Sequence, residues 1–224
     1  MSEPIEVGKG FVSLIDKMVS DVDLKVVNSA RISMGKQTNE MRPRDQRLIK
    51  YLADHEHTTP FRHSYVSFHI KAPIFVLRQW MKHQVGCSWN EISGRYVKFD
   101  LDFWSPDEWR ESAEDVKQGS GGRVDIPVQT ALDQAYLEAC HSAFDTYESL
   151  IQMGACHEQA RACLPLSLYS ECYWTASLQA VSHFLKLRLD SHAQSEIRDY
   201  AQAVKALLIS NVKGAESVIG ALDG

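Results

Sequence analysis

No stretch of this chain stays apolar for long, whereas a helix needs about 20 apolar residues to cross a bilayer. The opening residues, Met1-Ser2-Glu3-Pro4-Ile5-Glu6, carry neither the basic nor the apolar block of a secretory leader. Cysteine is sparse: five residues, odd in number, scattered and without close pairs. That pattern excludes a disulfide framework, and Cys156 and Cys163 lack zinc spacing. Reduced thiols in the cytoplasm are the expectation. Positive charge is also short. Lys and Arg number 24 against 29 Asp and Glu, a net charge of −5. Bulk electrostatics therefore disfavour nucleic acid as a partner, while a local basic site for a phosphate stays open. Repeats and low-complexity segments are absent. What remains is an ordinary globular composition, 44% hydrophobic and 24% charged over 224 residues. It is enough for one sizeable domain spanning 1–224, the reading preferred over two small ones.

The chain is best organised around Arg78 to Tyr96. An apolar run, Ala72 to Leu77, turns polar within one helical turn. With Pro73 at a first helical position, a helix is expected from Pro73 to about Val85. Ile74, Leu77 and Met81 would share one side. Arg78 would lie beside Lys82, and Gln79 beside His83, at i,i+4. Gly86, Cys87 and Ser88 would end the helix, and the polar cluster Asn90, Glu91, Ser93 and Arg95 follows. Two cations, an amide and an imidazole on one face suit an anion and a heterocycle. A helix end with a polar turn is the bland alternative.

Elsewhere the pattern is mixed. Lys25 to Ser33 reads as a strand running into a turn, and Gly35 to Glu40 as a loop. Pro43 to His55 reads as a helix with Leu48, Ile49 and Leu52 inside. Ser64 to Lys71 alternates, with Val66, Phe68 and Ile70 on one face, as a half-buried strand does. His55, His57, His63 and His69 lie close in sequence. They offer no helical His-x-x-x-His pair and no nearby cysteine cluster, so no metal is expected. Val97 to Phe103 reads as a second strand, and Trp104 to Arg110 as a turn with a short helix. Lys117 to Gly122 has a P-loop's glycines without its Gly-Lys-Ser/Thr ending, and reads rather as a mobile surface loop. Thr130 to Met153 is helical, stopped by Gly154, with Leu132, Ala135, Ala139, Phe144, Leu150 and Ile151 as apolar positions. Cys156 to Leu164 breaks at Pro165. Glu171 to Leu189 reads as a helix, with Gln179 and His183 on one face. Ala193 to Val212 is the last helix, with the stripe Ile197, Tyr200, Ala201, Val204 and Leu208.

Two separated blocks resemble the flavin-dependent thymidylate synthases. The family signature is Arg-His-Arg, seven or eight residues, then Ser, with Asn-Glu before the Ser and Arg after it. This chain has Lys82-His83-Gln84, eight residues, and Ser93 within Asn90-Glu91-Ile92-Ser93-Gly94-Arg95-Tyr96. The central His and the spacing match, while both flanking arginines are replaced. The second block, Phe184-Leu185-Lys186-Leu187-Arg188-Leu189-Asp190-Ser191-His192-Ala193-Gln194, resembles the family's Phe-Leu-x-Leu-Arg-x-Asp-x-His-Ala-Gln. Ala30-Arg31-Ile32-Ser33, the segment His57-Thr58-Thr59-Pro60-Phe61 and Ala160-Arg161 with Leu164-Pro165 resemble further elements. The resemblance runs from about residue 25 to 212.

It implies an α+β fold: a small mixed or antiparallel sheet with long packed helices, in a homotetramer with sites at subunit interfaces. It implies conversion of dUMP to dTMP, with methylene from 5,10-methylenetetrahydrofolate and hydride from FAD reduced by NADPH. By resemblance, Arg188 is the catalytic group, favouring ionisation of the uracil at N3. The dUMP set would be Gln79, Trp80, Met81, Lys82, Glu91, Ile92, Ser93, Gly94, Arg95, Arg161 and Arg188. The FAD set would be His57, Thr59, Lys82, His83, Gln84, Glu91, Ser177, Gln179 and His183. Arg62 stands where some relatives have Glu, and Ser177, Gln179 and His183 differ from the commoner family residues. Lys82 loses the planar fork of Arg, and Gln84 loses the charge, which predicts weakened flavin affinity. By the same resemblance, the segment Lys117 to Gly122 is a candidate lid. Nothing around Cys87 marks a lowered pKa, so no nucleophile is assigned there. Alternatives are another acceptor such as dCMP, a hydroxymethyl product, or a relative that binds nucleotide and flavin without turnover.

Overall fold

The structure, a computed structural model, describes residues 2–113 and 119–223. They form two compact units: Met1–Ile70, Gln79–Asn90 and Cys172–Gly224 make the first, and Lys71–Arg78 with Glu91–Glu171 make the second. The chain therefore crosses from one to the other four times, at 70/71, 78/79, 90/91 and 171/172.

The sheet lies mainly in the first unit. Strands β1 (Ile5–Val7) and β2 (Gly10–Lys17) pair as an antiparallel hairpin. With β3 (Tyr65–Pro73), β4 (Cys87–Glu91) and β7 (Tyr169–Ser177) they form a five-stranded sheet in the order β1-β2-β3-β7-β4. In β3 the expected alternation holds, with Val66, Phe68 and Ile70 buried. The strand runs on through Pro73, so Pro73 ends a strand and does not open a helix. Five helices belong to this unit: α1 (Val22–Arg31), α2 (Pro43–Asp54), α6 (Leu178–Arg188), α7 (Ser195–Asn211) and α8 (Ala215–Asp223). In α7 the whole predicted stripe is buried. In α2, Ile49 and Leu52 are buried as expected.

Two expectations fail here for identifiable reasons. Lys25 to Ser33 belongs to a helix followed by a 3-10 turn, not to a strand. The Asp21 carboxylate caps α1 by accepting from Leu24 N, and Val22, Val26 and Val27 bury one helical face. Glu171 to Ser177 is strand, and only the part from Leu178 is helix. Cys172, Trp174 and Ala176 are buried at a spacing of two, the strand period. Ser177 then caps α6, its Oγ accepting from Ala180 N at 3.3 Å.

The second unit carries α3 (Ile74–Trp80) up to Arg78, the paired strands β5 (Arg110–Ser112) and β6 (Ser120–Arg123), the long α4 (Ile126–Gln152) and the short α5 (His157–Ala160). Its core gathers Phe103, Cys140 and Leu168, with Phe99, Tyr136 and Phe144 against them. Val97 to Phe103 is not a strand; Phe103 alone bridges to Leu168. Trp104 to Arg110 has no helix, because the Gln129 amide ties Trp109 N and O into an extended approach to β5. Helix α4 starts earlier than expected, at Ile126 with Pro127 in its first turn, and Gly154 stops it with φ +97. Its inner face is Gln129, Cys140 and Tyr147, and Ala135 and Ala139 are exposed. Of the glycine-rich segment, Ser120 to Arg123 is strand rather than loop; Lys117 and Gln118 lie outside the described residues. No helix among the described residues is long and apolar enough to cross a membrane.

Candidate active site

In the first unit the site is built on Trp80. Its indole is fully buried, stacked on Phe184 at 4.6 Å and edge-on to Trp174 at 5.2 Å. Holding that ring ends α3 at Trp80, five residues before the expected stop. His83 N then closes a turn onto Trp80 O at 3.0 Å. Lys82 and His83 consequently lie beyond the helix, not on its face beside Arg78 and Gln79. At Gly86 the backbone is left-handed, φ +74, and a Cβ there would meet Ser177 Oγ at 2.9 Å. Ser177 N donates to Gly86 O at 3.0 Å. A glycine thus seats the turn after Lys82-His83-Gln84 against the start of α6. Cys87 opens β4 rather than ending a helix, and Trp89 stacks on Trp174 at 5.6 Å.

Arg188, at the end of α6, reaches this turn. Its Nε donates to His83 Nε2 at 3.0 Å and its Nη2 to the Gln79 carbonyl at 3.3 Å. Gln79 Nε2 donates in turn to Gln194 Oε1 at 2.6 Å. No carboxylate pairs with Arg188 among the described residues. Burial lowers its pKa, so the charge is held at a cost that a bound anion would relieve. His83 is buried against Phe184 and His183, at ring distances of 5.3 and 5.7 Å. Burial first, then the Arg188 charge and His183, bring its pKa down to about 4.

Other residues of the predicted FAD set are in the same unit. His57, Thr59, Lys82, Gln84 and His183 are exposed, and Gln179 is half-buried. Arg62, noted in the sequence only as a departure from the family pattern and left out of the FAD set, joins two of these segments. Its Nε donates to Gln179 Oε1 at 2.5 Å and its Nη2 to Thr58 Oγ1 at 3.2 Å. Apart from Glu91, which belongs to the second unit, the set is cations, amides, hydroxyls and imidazoles without a carboxylate. Such a donor set fits a cofactor with a diphosphate and a hydrogen-bonding ring. Of the clustered histidines, His55 stacks on Tyr51 at 4.0 Å and His69 meets Phe11 and Tyr173 edge-on. Among the described residues no three His, Cys, Asp or Glu side chains are placed to hold a metal. Burial pushes the half-buried Cys87 thiol up, which favours the protonated, non-nucleophilic form.

In the second unit the predicted nucleotide loop is also assembled. The Glu91 carboxylate accepts from Ser170 Oγ at 2.7 Å, and Ile92 N donates to Glu171 O at 2.9 Å. Arg95 Nε and N both donate to Ser93 Oγ at 3.4 Å, and its guanidinium lies over the Tyr96 ring. Gly94 is buried between Phe99 and Arg161; a Cβ would stand 3.1 Å from Arg161 Cδ. Arg161 Nε donates to the Glu158 carbonyl at 3.4 Å. Residues far apart in sequence thus present two exposed guanidiniums, neither with a carboxylate partner among the described residues.

The family model described as thymidylate synthase complementing protein matches residues 13–212. A flavin-dependent thymidylate synthase of Thermus thermophilus is 43% identical over 205 residues, covering 91% of this chain and 73% of that protein. One from Thermosipho africanus is 42% identical over 196 residues, covering 86% and 83%. Among solved structures, a UMP/dUMP methylase, PolB from Streptomyces cacaoi, bound with 5-Br dUMP, superposes with a TM-score of 0.81 at 30% identity, covering 95% of this chain and 94% of that one.

Proposed function

The chain belongs to the flavin-dependent thymidylate synthase family, and from that premise we propose that it converts dUMP to dTMP as a single functional domain. The methylene would come from methylenetetrahydrofolate, and NADPH would reduce the flavin. The observation that carries this is Arg188: a half-buried guanidinium held, among the described residues, by neutral acceptors alone and so free to meet an anion. A guanidinium stabilises the N3-deprotonated uracil without giving up its own proton, and that anion carries more electron density at C5. FAD, when bound, supplies the hydride that takes the transferred carbon to a methyl group.

The other assignments follow the family position by position. Ser93, Gly94, Arg95 and Arg161, with Glu91 and Ile92, would take the nucleotide through charge-assisted hydrogen bonds. Gln79, Met81 and Lys82 would add contacts, and Trp80 only its main chain, because its indole is buried. The flavin would be held by His57, Thr59, Lys82, His83, Gln84, Glu91, Ser177, Gln179 and His183. By the family resemblance we further propose a homotetramer in the cytoplasm, with different subunits contributing to each site.

The test is turnover with FAD, NADPH, methylenetetrahydrofolate and dUMP, reading dTMP by mass. We expect product that is lost without flavin and in Arg188→Ala. Flavin oxidation without dTMP would reject dUMP as the acceptor; dCMP and UMP would then be supplied in its place.

A further inference from the structure

Arg188 has five N–H groups in a planar fork. One, on Nε, is committed to His83 Nε2, and one on Nη2 to the Gln79 carbonyl. Three remain, two on Nη1 and one on Nη2, for a ligand. Which way that free edge faces is set by the two tethers. The carbonyl of Gln79 is fixed by the main chain at the end of α3, so the adjustable tether is His83.

For Nε2 to accept from a guanidinium, the ring must be neutral with its proton on Nδ1. Burial and the groups that act on the ring's charge favour that state. Phe184 and His183 come from α6, as does Arg188 itself, and among the described residues no carboxylate shifts the His83 pKa. A protonated ring would place two cations in contact in a buried position. Trp89 Nε1 donates to the His83 carbonyl at 3.5 Å, which further restrains the residue.

We propose that His83 is a positioning residue for Arg188: a neutral Nε2 acceptor that aims the free edge of the guanidinium at the substrate base. Only Nδ1–H remains to meet a flavin, and only as a donor. The hydrogen bond itself is independent of the proposed reaction; the identity of the base rests on that reading.

The test has two arms on the flavin-loaded protein. Ring nitrogen NMR on histidine-labelled protein should find His83 as the neutral Nδ1–H tautomer between about pH 5 and pH 8. A His83 that gains a proton in that range overturns the proposal, whether or not the protein makes dTMP. The second arm is a double-mutant cycle on dUMP affinity by calorimetry, with flavin content measured in the same samples. His83→Leu should weaken dUMP about tenfold or more, the scale of a lost hydrogen bond to a charged group. His83→Gln, which keeps an acceptor, should recover most of that. In an Arg188→Ala background, His83→Leu should have little further effect. An equal loss in both backgrounds would show that His83 acts elsewhere and overturn the proposal. If wild type makes no dTMP but the tautomer and the cycle hold, the reaction fails and the positioning stands.

Discussion

Gly94→Ala isolates the packing that seats the nucleotide loop. Gly94 is not left-handed, so alanine adds no backbone strain there. The methyl would instead stand 2.2 Å from Phe99 Cε2 and 2.8 Å from Cζ. Ordinary carbon contacts lie at about 3.5–4 Å, so the ring must retreat by more than about 1 Å. It has little room. Phe99 packs on the Phe103, Cys140 and Leu168 core, and its N donates to Tyr147 Oη at 3.3 Å. Overpacking of this kind costs about 1–3 kcal/mol. For a chain of this length that lowers Tm by about 2–4 °C per kcal/mol. Arg161, whose Cδ is 3.1 Å from the added methyl, should shift as well. Thermal unfolding and dUMP titration should therefore both respond, and Phe99→Leu in the same chain should restore part of the stability. An unchanged Tm for Gly94→Ala, or no relief from Phe99→Leu, would refute the packing argument.

Three further outcomes are expected. Arg62→Ala should raise the Kd for FAD severalfold in a fluorescence titration, since it removes the tether between Thr58 and Gln179; an unchanged Kd would remove Arg62 from the flavin site. Cys87→Ser should keep turnover, because burial favours the thiol form of Cys87; complete loss with normal flavin content would restore a nucleophilic role. His83 gives a pH dependence. Its folded pKa, about 4, lies below the ordinary 6.5, so the unfolded chain binds the proton first as pH falls. Its contribution is present above about pH 6.5 and lost toward pH 4, with a ceiling of about 3 kcal/mol. Urea unfolding across that range should show a shallower slope in His83→Gln, and equal slopes would count against the buried neutral ring.

Much of this was legible in the sequence where one physical period ran unbroken. The alternation in β3 and the helical stripe of α7 needed no tertiary information. The strand from Tyr169 to Ser177 was hidden because it runs straight into α6 without a glycine or proline between them. The end of α3 was misplaced because the packing of Trp80 on Phe184 and Trp174, more than ninety residues away, decides it. Site residues followed the same division. The arginines and the Ser93–Arg95 loop were identified by motif, yet nothing local tells which atoms hold them. The Arg62–Gln179 and His83–Arg188 bonds join residues 117 and 105 positions apart, and such pairings leave no mark in any window of sequence.

Charge accounting separates two arginines that motif alone treats alike. Arg31 lies in an element resembling a family segment near the nucleotide, and Arg188 lies in the second family block. Arg31 is mostly buried and paired with the fully buried carboxylate of Asp45, which also accepts from Arg42 N and so ties α1 to the start of α2. Breaking such a pair leaves an uncompensated charge inside the fold, so the guanidinium of Arg31 is committed to structure. Arg188 is tethered by an imidazole nitrogen and a carbonyl oxygen, acceptors that direct it without neutralising it. In a chain with more acids than bases, a half-buried arginine with no acid beside it among the described residues is a standing site for an anion from outside. For that reason a carboxylate introduced at His83 should do more harm than an apolar residue there: His83→Asp would claim Arg188 for the protein, as Asp45 claims Arg31. The expected result is dUMP affinity lower in His83→Asp than in His83→Leu at equal flavin content. The opposite order would mean that free charge on Arg188 is not what the substrate meets.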